Sequence, residues 1–131
     1  MAAFNLSGSM ASTYSISVTA SGGAYVLSGN DRNGSVSGNN ATVTVSIGDT
    51  LNFVVNASGH PFYIKTAATT GTGNQVSTPA ATNQGTQSGT VSWTPDTAGT
   101  YYYQCGSHSG MIGTINVAAV SSGNLTIDLQ T

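Results

Sequence analysis

Apolar residues in this chain recur at every second position, in short runs that stop at glycine, asparagine or serine. Tyr14, Ile16 and Val18 alternate with Ser15, Ser17 and Thr19. Val43, Val45 and Ile47 share one face of a second run, and Leu51, Phe53 and Val55 one face of a third. Successive side chains of an extended chain point to opposite sides, so each run reads as a strand with one buried face. No segment keeps helical spacing over three turns. Short strands at close spacing with Gly-rich turns predict an all-β fold, an antiparallel sandwich or barrel. Further strands are expected at Tyr25–Leu27, His60–Thr66, Val91–Trp93, Tyr101–Cys105, Ile112–Val117 and Asn124–Leu129. Ser28–Asn40 reads as turns, and residues 67–89 as a long loop. Gly48-Asp49 reads as the turn of a hairpin over residues 42–56, with Asp49 structural. Residues 1–13 read as a loose arm.

The 131 residues predict one domain over 1–131, with 119–131 as a C-terminal extension carrying an extra strand. A chain of this size buries roughly two-thirds of its unfolded surface, so it needs no disulfide framework. Its single cysteine excludes an internal disulfide in any case. Charged residues make up 5% of the chain, against about 25% in ordinary globular proteins. They are Arg32, Lys65, Asp31, Asp49, Asp96 and Asp128, with a formal net charge of -2. A chain with no basic patch is not expected to bind nucleic acid. A surface of neutral hydrogen-bonding groups repels its neighbours weakly, which suits dense packing beside other proteins. No stretch is long and apolar enough to span a membrane. Met1–Gly8 lacks a positive segment followed by an apolar one, so it is not read as a secretory signal.

The chemistry concentrates in Tyr101-Tyr-Tyr-Gln-Cys105-Gly-Ser-His108-Ser-Gly-Met111-Ile-Gly113, which contains Cys-x-x-His-x-x-Met. Thiolate, imidazole and thioether are ligands that suit copper. A strand ending at Cys105 and a tight loop after it bring His108 and Met111 back towards one point. The chain's only other histidine, His60, is the source for a second imidazole.

This segment resembles the metal loop of the cupredoxins, the type 1 copper family of plastocyanin and amicyanin. Gly99, Tyr101, Tyr103 and Cys105 occupy the family's Gly-x-Tyr-x-Tyr-x-Cys positions. The short gap from His108 to Met111 is more like amicyanin than plastocyanin, and Met111-Ile112-Gly113 fits the entry to the next strand. The resemblance covers roughly residues 41–118. Gly59-His60-Pro61-Phe62-Tyr63-Ile64-Lys65 is similar to cupredoxin-like domains of cyanobacterial and marine phage proteins. The resemblance implies a Greek-key sandwich with one mononuclear copper. His60, Cys105 and His108 would form a trigonal plane and Met111 a weak axial ligand, with Gly59, Pro61 and Gly106 beside them. In the family the residue after the first histidine commonly donates its backbone N–H to the cysteine sulfur. Pro61 has none, which implies a more electron-rich thiolate and a lower potential.

Zinc competes for a Cys-His-His set, but a thioether is a poor zinc ligand, so Met111 favours copper. A dinuclear copper centre needs a second cysteine. An oxidase or nitrite reductase needs further histidines. A Cys–His nucleophile has no carboxylate nearby in sequence to orient its base. The chain is therefore not expected to be an enzyme. Trp93, Tyr101 and Tyr103 read as core, while Tyr102 and Gln104 read as outward and available to an interface. Two roles fit. The first is a one-electron carrier working with a redox partner in a periplasm, a lumen or outside the cell. The second is a structural protein on a phage virion, packed against capsid neighbours or other copies through its terminal strands, with or without copper.

Overall fold

A computed structural model describes residues 11–119. Among them are nine strands and no helix: β1 Thr13–Ser21, β2 Ala24–Asp31, β3 Gly34–Asn39, β4 Val43–Ser46, β5 Thr50–Asn56, β6 Phe62–Lys65, β7 Ser88–Trp93, β8 Gly99–Cys105 and β9 Ile112–Ala118. They form two sheets, one ordered β3-β2-β1-β5-β7 and the other β4-β9-β8-β6. The alternating apolar residues of both sheets meet in a single core. Ile16, Val18, Leu27, Phe53, Val55 and Trp93 enter it from the first sheet, and Val45, Phe62, Ile64, Tyr103 and Ile115 from the second. Trp93 is therefore core, as its strand pattern predicts. Tyr101 packs against the cluster from its rim.

The sandwich is mixed, where the alternation suggested purely antiparallel pairing. β1 runs parallel to β5, with Tyr14 opposite Leu51, and β4 runs parallel to β9, with Val43 opposite Ile115. The cause is the segment 42–56, which is not a hairpin. β4 and β5 lie in different sheets, and the turn between them is a corner that carries the chain across the sandwich. A hairpin and a corner leave the same two-residue period, because in both cases the apolar faces point into the core. Ser28–Asn40, expected as turns, instead holds the end of β2 and all of β3. β3 is an edge strand with one buried side chain, Val36, so a Gly- and Ser-rich sequence suffices there. Residues 67–89 are the expected long connection, but β7 already begins at Ser88. Four isolated bridges involve this segment, and Val76 is buried in the core. The expected arm over residues 1–13 lies mostly outside the described residues, and so does the expected strand at 124–129.

Tyr103 is opposite Gly113 across the β8–β9 pair. A Cβ at Gly113 would stand 2.1 Å from the Tyr103 ring, so only glycine lets the ring lie over the neighbouring backbone. The Tyr103 hydroxyl then donates to the Ala41 carbonyl at 2.6 Å, tying β8 to the start of β4. At one end of the sandwich β5, β6, β8 and β9 converge, and the turns they enter carry His60, Cys105, His108 and Met111. The corner with Asp49 occupies the opposite end.

Candidate metal centre

β8 ends at Cys105, and the chain returns to β9 through a six-residue connection that is fixed by its own backbone. The Cys105 N–H donates to the Met111 carbonyl at 2.9 Å, and the Met111 N–H to the His108 carbonyl at 3.2 Å. Gln104 secures the same loop from behind. It was expected to face outward, but it is 1% exposed, and its amide nitrogen donates to the carbonyls of Cys105, His108 and Met111. Alternation does place Gln104 on the outer face of β8. The loop folds back over that face and needs its polar end, because buried carbonyls must find donors.

His60 comes from the turn between β5 and β6. The His60 N–H donates to the Ala57 carbonyl at 3.0 Å, and Gly59, with φ of +84°, supplies the left-handed residue that this turn needs. The Gly59 N–H is taken by the Gln87 side chain at 2.6 Å. The two ligand-bearing turns are joined directly, since the Gly106 N–H donates to the Pro61 carbonyl at 2.9 Å. A Cβ at Gly106 would lie 2.9 Å from the Tyr63 ring, so the cysteine turn sits against that ring only because it carries no side chain there.

Cys105 is fully buried, His60 half-buried and His108 exposed. Cys105 Sγ lies 3.4 Å from His108 Nδ1 and 3.8 Å from His60 Nδ1, and the two ring nitrogens are 3.2 Å apart. One point in the plane of these atoms is about 2 Å from all three, the bond length of a first-row metal ion to imidazole. One soft sulfur and two imidazoles around such a point form a donor set that fits copper. Met111 is buried in the core cluster.

Two residues that the sequence did not single out complete the surroundings. The Ser107 N–H points at the sulfur from 3.4 Å, so the thiolate has a backbone donor even though Pro61 offers none. Tyr25 reaches across from the other sheet, and its hydroxyl lies 2.9 Å from the His60 carbonyl and 3.1 Å from the Pro61 carbonyl. Burial, and then the charge of a Cys105 thiolate, push the Tyr25 hydroxyl far above its ordinary value, so it stays protonated and remains a donor. Nothing local marks either residue. Ser107 acts through its backbone, and Tyr25 lies 35 residues before the histidine whose turn it holds.

The family profile points the same way. The profile of the copper binding proteins of the plastocyanin/azurin family matches residues 24–118. A search of curated proteins finds no match. Among solved structures, rusticyanin from Thiobacillus ferrooxidans is 22% identical, with a TM-score of 0.51 over 88% of this chain and 86% of its own. A second structure of the copper protein rusticyanin is also 22% identical, with a TM-score of 0.50 over 88% and 87%. A reduced Cu(I) form of an amicyanin variant aligns at 22% identity over 79% and 81%, with a TM-score of 0.44.

Proposed function

Because the chain belongs to the plastocyanin/azurin family of copper-binding proteins, we propose that it is a one-electron carrier in which His60, Cys105 and His108 would hold a single type 1 copper, with Met111 as a fourth, weaker ligand. The convergence of the three donor atoms on one point about 2 Å from each carries this reading. Copper, when bound, supplies a couple that takes up and gives back one electron. The protein's own residues do the rest. Gln104, the Gly106–Pro61 link and Tyr25 hold both ligand turns in one arrangement, so the donors move little when the charge at their centre changes. Burial keeps water from Cys105, while the exposed ring of His108 gives a redox partner a short route to the site. Gly59, Pro61 and Gly106 act through their backbones.

No helix of the described residues is long and apolar enough to cross a membrane. The carrier would meet its partner outside the cytoplasm, where such proteins work. The other reading, a structural protein on a phage virion, rests on the scarcity of charge and gains no support from the comparisons.

Anaerobic titration of the reduced metal-free protein with copper, followed by oxidation, tests the proposal. We expect one copper per chain, an intense blue thiolate-to-copper band and a narrow EPR hyperfine splitting, all lost in Cys105→Ser. A folded protein that takes up copper without the band would overturn it.

A further inference from the structure

Lys65 is one of only two cationic side chains in the protein, and its exposure is 0%. Its Nζ donates to the carbonyls of Thr69 at 2.7 Å and Gly71 at 2.8 Å, and lies 5.3 Å from the centre of the Tyr63 ring. Its partners among the described residues are thus neutral. An ammonium group buried without a carboxylate costs stability, so its retention calls for a reason. Position on β6 does not supply one, because alternation puts Lys65 on the outer face, with Ile64 inward. Residues 66–75 cover it by folding back along the strand. The Thr66 N–H donates to the Asn74 carbonyl at 2.8 Å, and the Val76 N–H to the Ile64 carbonyl at 3.0 Å.

This strap runs on to the metal centre. The Gly71 N–H donates to the Gly106 carbonyl at 2.8 Å. Gly106 follows the cysteine ligand, precedes the Ser107 N–H that faces the sulfur, and is itself tied to Pro61. Two hydrogen bonds and the backbone of Gly71 therefore connect the buried ammonium to the turn that shapes the sulfur's surroundings.

We propose that Lys65 is a positioning residue of the copper centre, latching the 66–75 strap onto the Cys105 turn and biasing the site towards its reduced state with a buried positive charge. The bias rests on the copper reading, and the latch does not. Oxidation adds one positive charge at the centre. A cation inside the protein opposes that charge across a medium of low dielectric, whereas a cation on the surface would be screened by salt. Lys65 thereby raises the potential, against the lowering expected from Pro61.

Three proteins separate charge from latch: the parent, Lys65→Met and Lys65→Gln. The Met side chain keeps the apolar stem without donor or charge; the Gln side chain keeps a donor without charge. In the copper-loaded proteins we expect a lower reduction potential in both variants, with the blue band retained. In the metal-free proteins we expect hydrogen exchange at the Gly71 and Gly106 amides to quicken about five- to tenfold in Lys65→Met, the loss of about one hydrogen bond. A parent-like potential in both variants overturns the bias, and parent-like exchange at both amides overturns the latch. If Lys65→Met does not fold, Lys65→Gln still decides the potential. If the parent binds no copper, the bias falls with the copper reading, and exchange in the metal-free variants still decides the latch.

Discussion

The two ends of the sandwich answer one problem in different ways. Each places an anion where the two sheets come together. At the corner between β4 and β5 the anion is the Asp49 carboxylate, which is 0% exposed. It accepts the Ser12 N–H at 2.9 Å, the Ser46 N–H at 2.7 Å, and Arg32 Nε and Nη2 at 2.8 and 2.6 Å. Burial alone would raise its pKa, but the Arg32 guanidinium and the two backbone donors outweigh that and hold the carboxyl below its ordinary range. At the other end the group is the Cys105 sulfur, an anion once a metal is bound, with one backbone N–H from Ser107 and two imidazole nitrogens facing it. The first end is neutralised from within by a guanidinium. The second is arranged for a cation that arrives from outside, and the exposed His108 leaves it a way in. What divides a structural anion from a functional one is whether the chain supplies its own counter-charge.

The contrast can be tested at both ends. The largest effect should follow Asp49→Ala, which removes the carboxylate that Arg32 and two backbone donors share. A loss of about 2–3 kcal/mol in urea unfolding is expected, because two backbone donors lose their acceptor while the partly exposed Arg32 turns to water, with the blue band of the surviving folded protein unchanged. A loss below 1 kcal/mol, or a changed band, would mean that the two ends are not independent. Next comes Tyr25→Phe, which removes a hydroxyl and keeps the ring. Copper affinity should fall about tenfold, as for other groups that orient metal ligands. Tyr103→Phe is the matched control, since its hydroxyl bonds the Ala41 carbonyl and neither of the two ligand-bearing turns. It should cost about 1 kcal/mol of stability and leave affinity alone. Equal affinities in the two variants would remove Tyr25 from the metal centre.

Acid provides the third test. The folded Asp49 carboxyl titrates below its unfolded value, so its contribution to stability is complete above the ordinary carboxylate range and is lost as pH falls through the folded value. Metal-free protein should therefore weaken on the acid side, and Asp49→Asn should flatten that limb; identical acid limbs would exclude the carboxyl as its source. The smallest change is expected for Pro61→Asn. It restores the backbone N–H that the family resemblance implies for the sulfur and should raise the reduction potential; an unchanged or lower potential would refute the idea that Pro61 lowers it.

The candidate site was legible because its signal is local. Cys105 and His108 lie within four residues, and with two histidines in the chain the remaining imidazole could only be His60. The alternation likewise showed most strands, because one face of each is buried. It could not separate a hairpin from a corner at Gly48-Asp49, since pairing partners are a property of the whole sandwich. It missed β3, where an edge strand with one inward side chain leaves almost no pattern. It also placed Gln104 on the outer face of β8, and the same alternation along β6 puts Lys65 on an outer face; both are correct for the strands and wrong for burial. In both cases a connecting segment returns over the sheet, and a period-two reading has no information about what later covers a face. Lys65 did leave a trace: a lone cation in an otherwise apolar strand, in a chain that almost does without charge.

Tyr25 gives the molecule a mechanical property as well as a chemical one. Its backbone belongs to one sheet, while its hydroxyl grips the turn that leads into the other. A small slip of one sheet across the other would drag the His60 turn relative to Cys105 and distort the triangle of donor atoms. The colour of the loaded protein is then a strain gauge for the whole sandwich. Under pressure or on warming, the blue band should shift before the strands separate, reporting shear that no backbone signal would yet reveal.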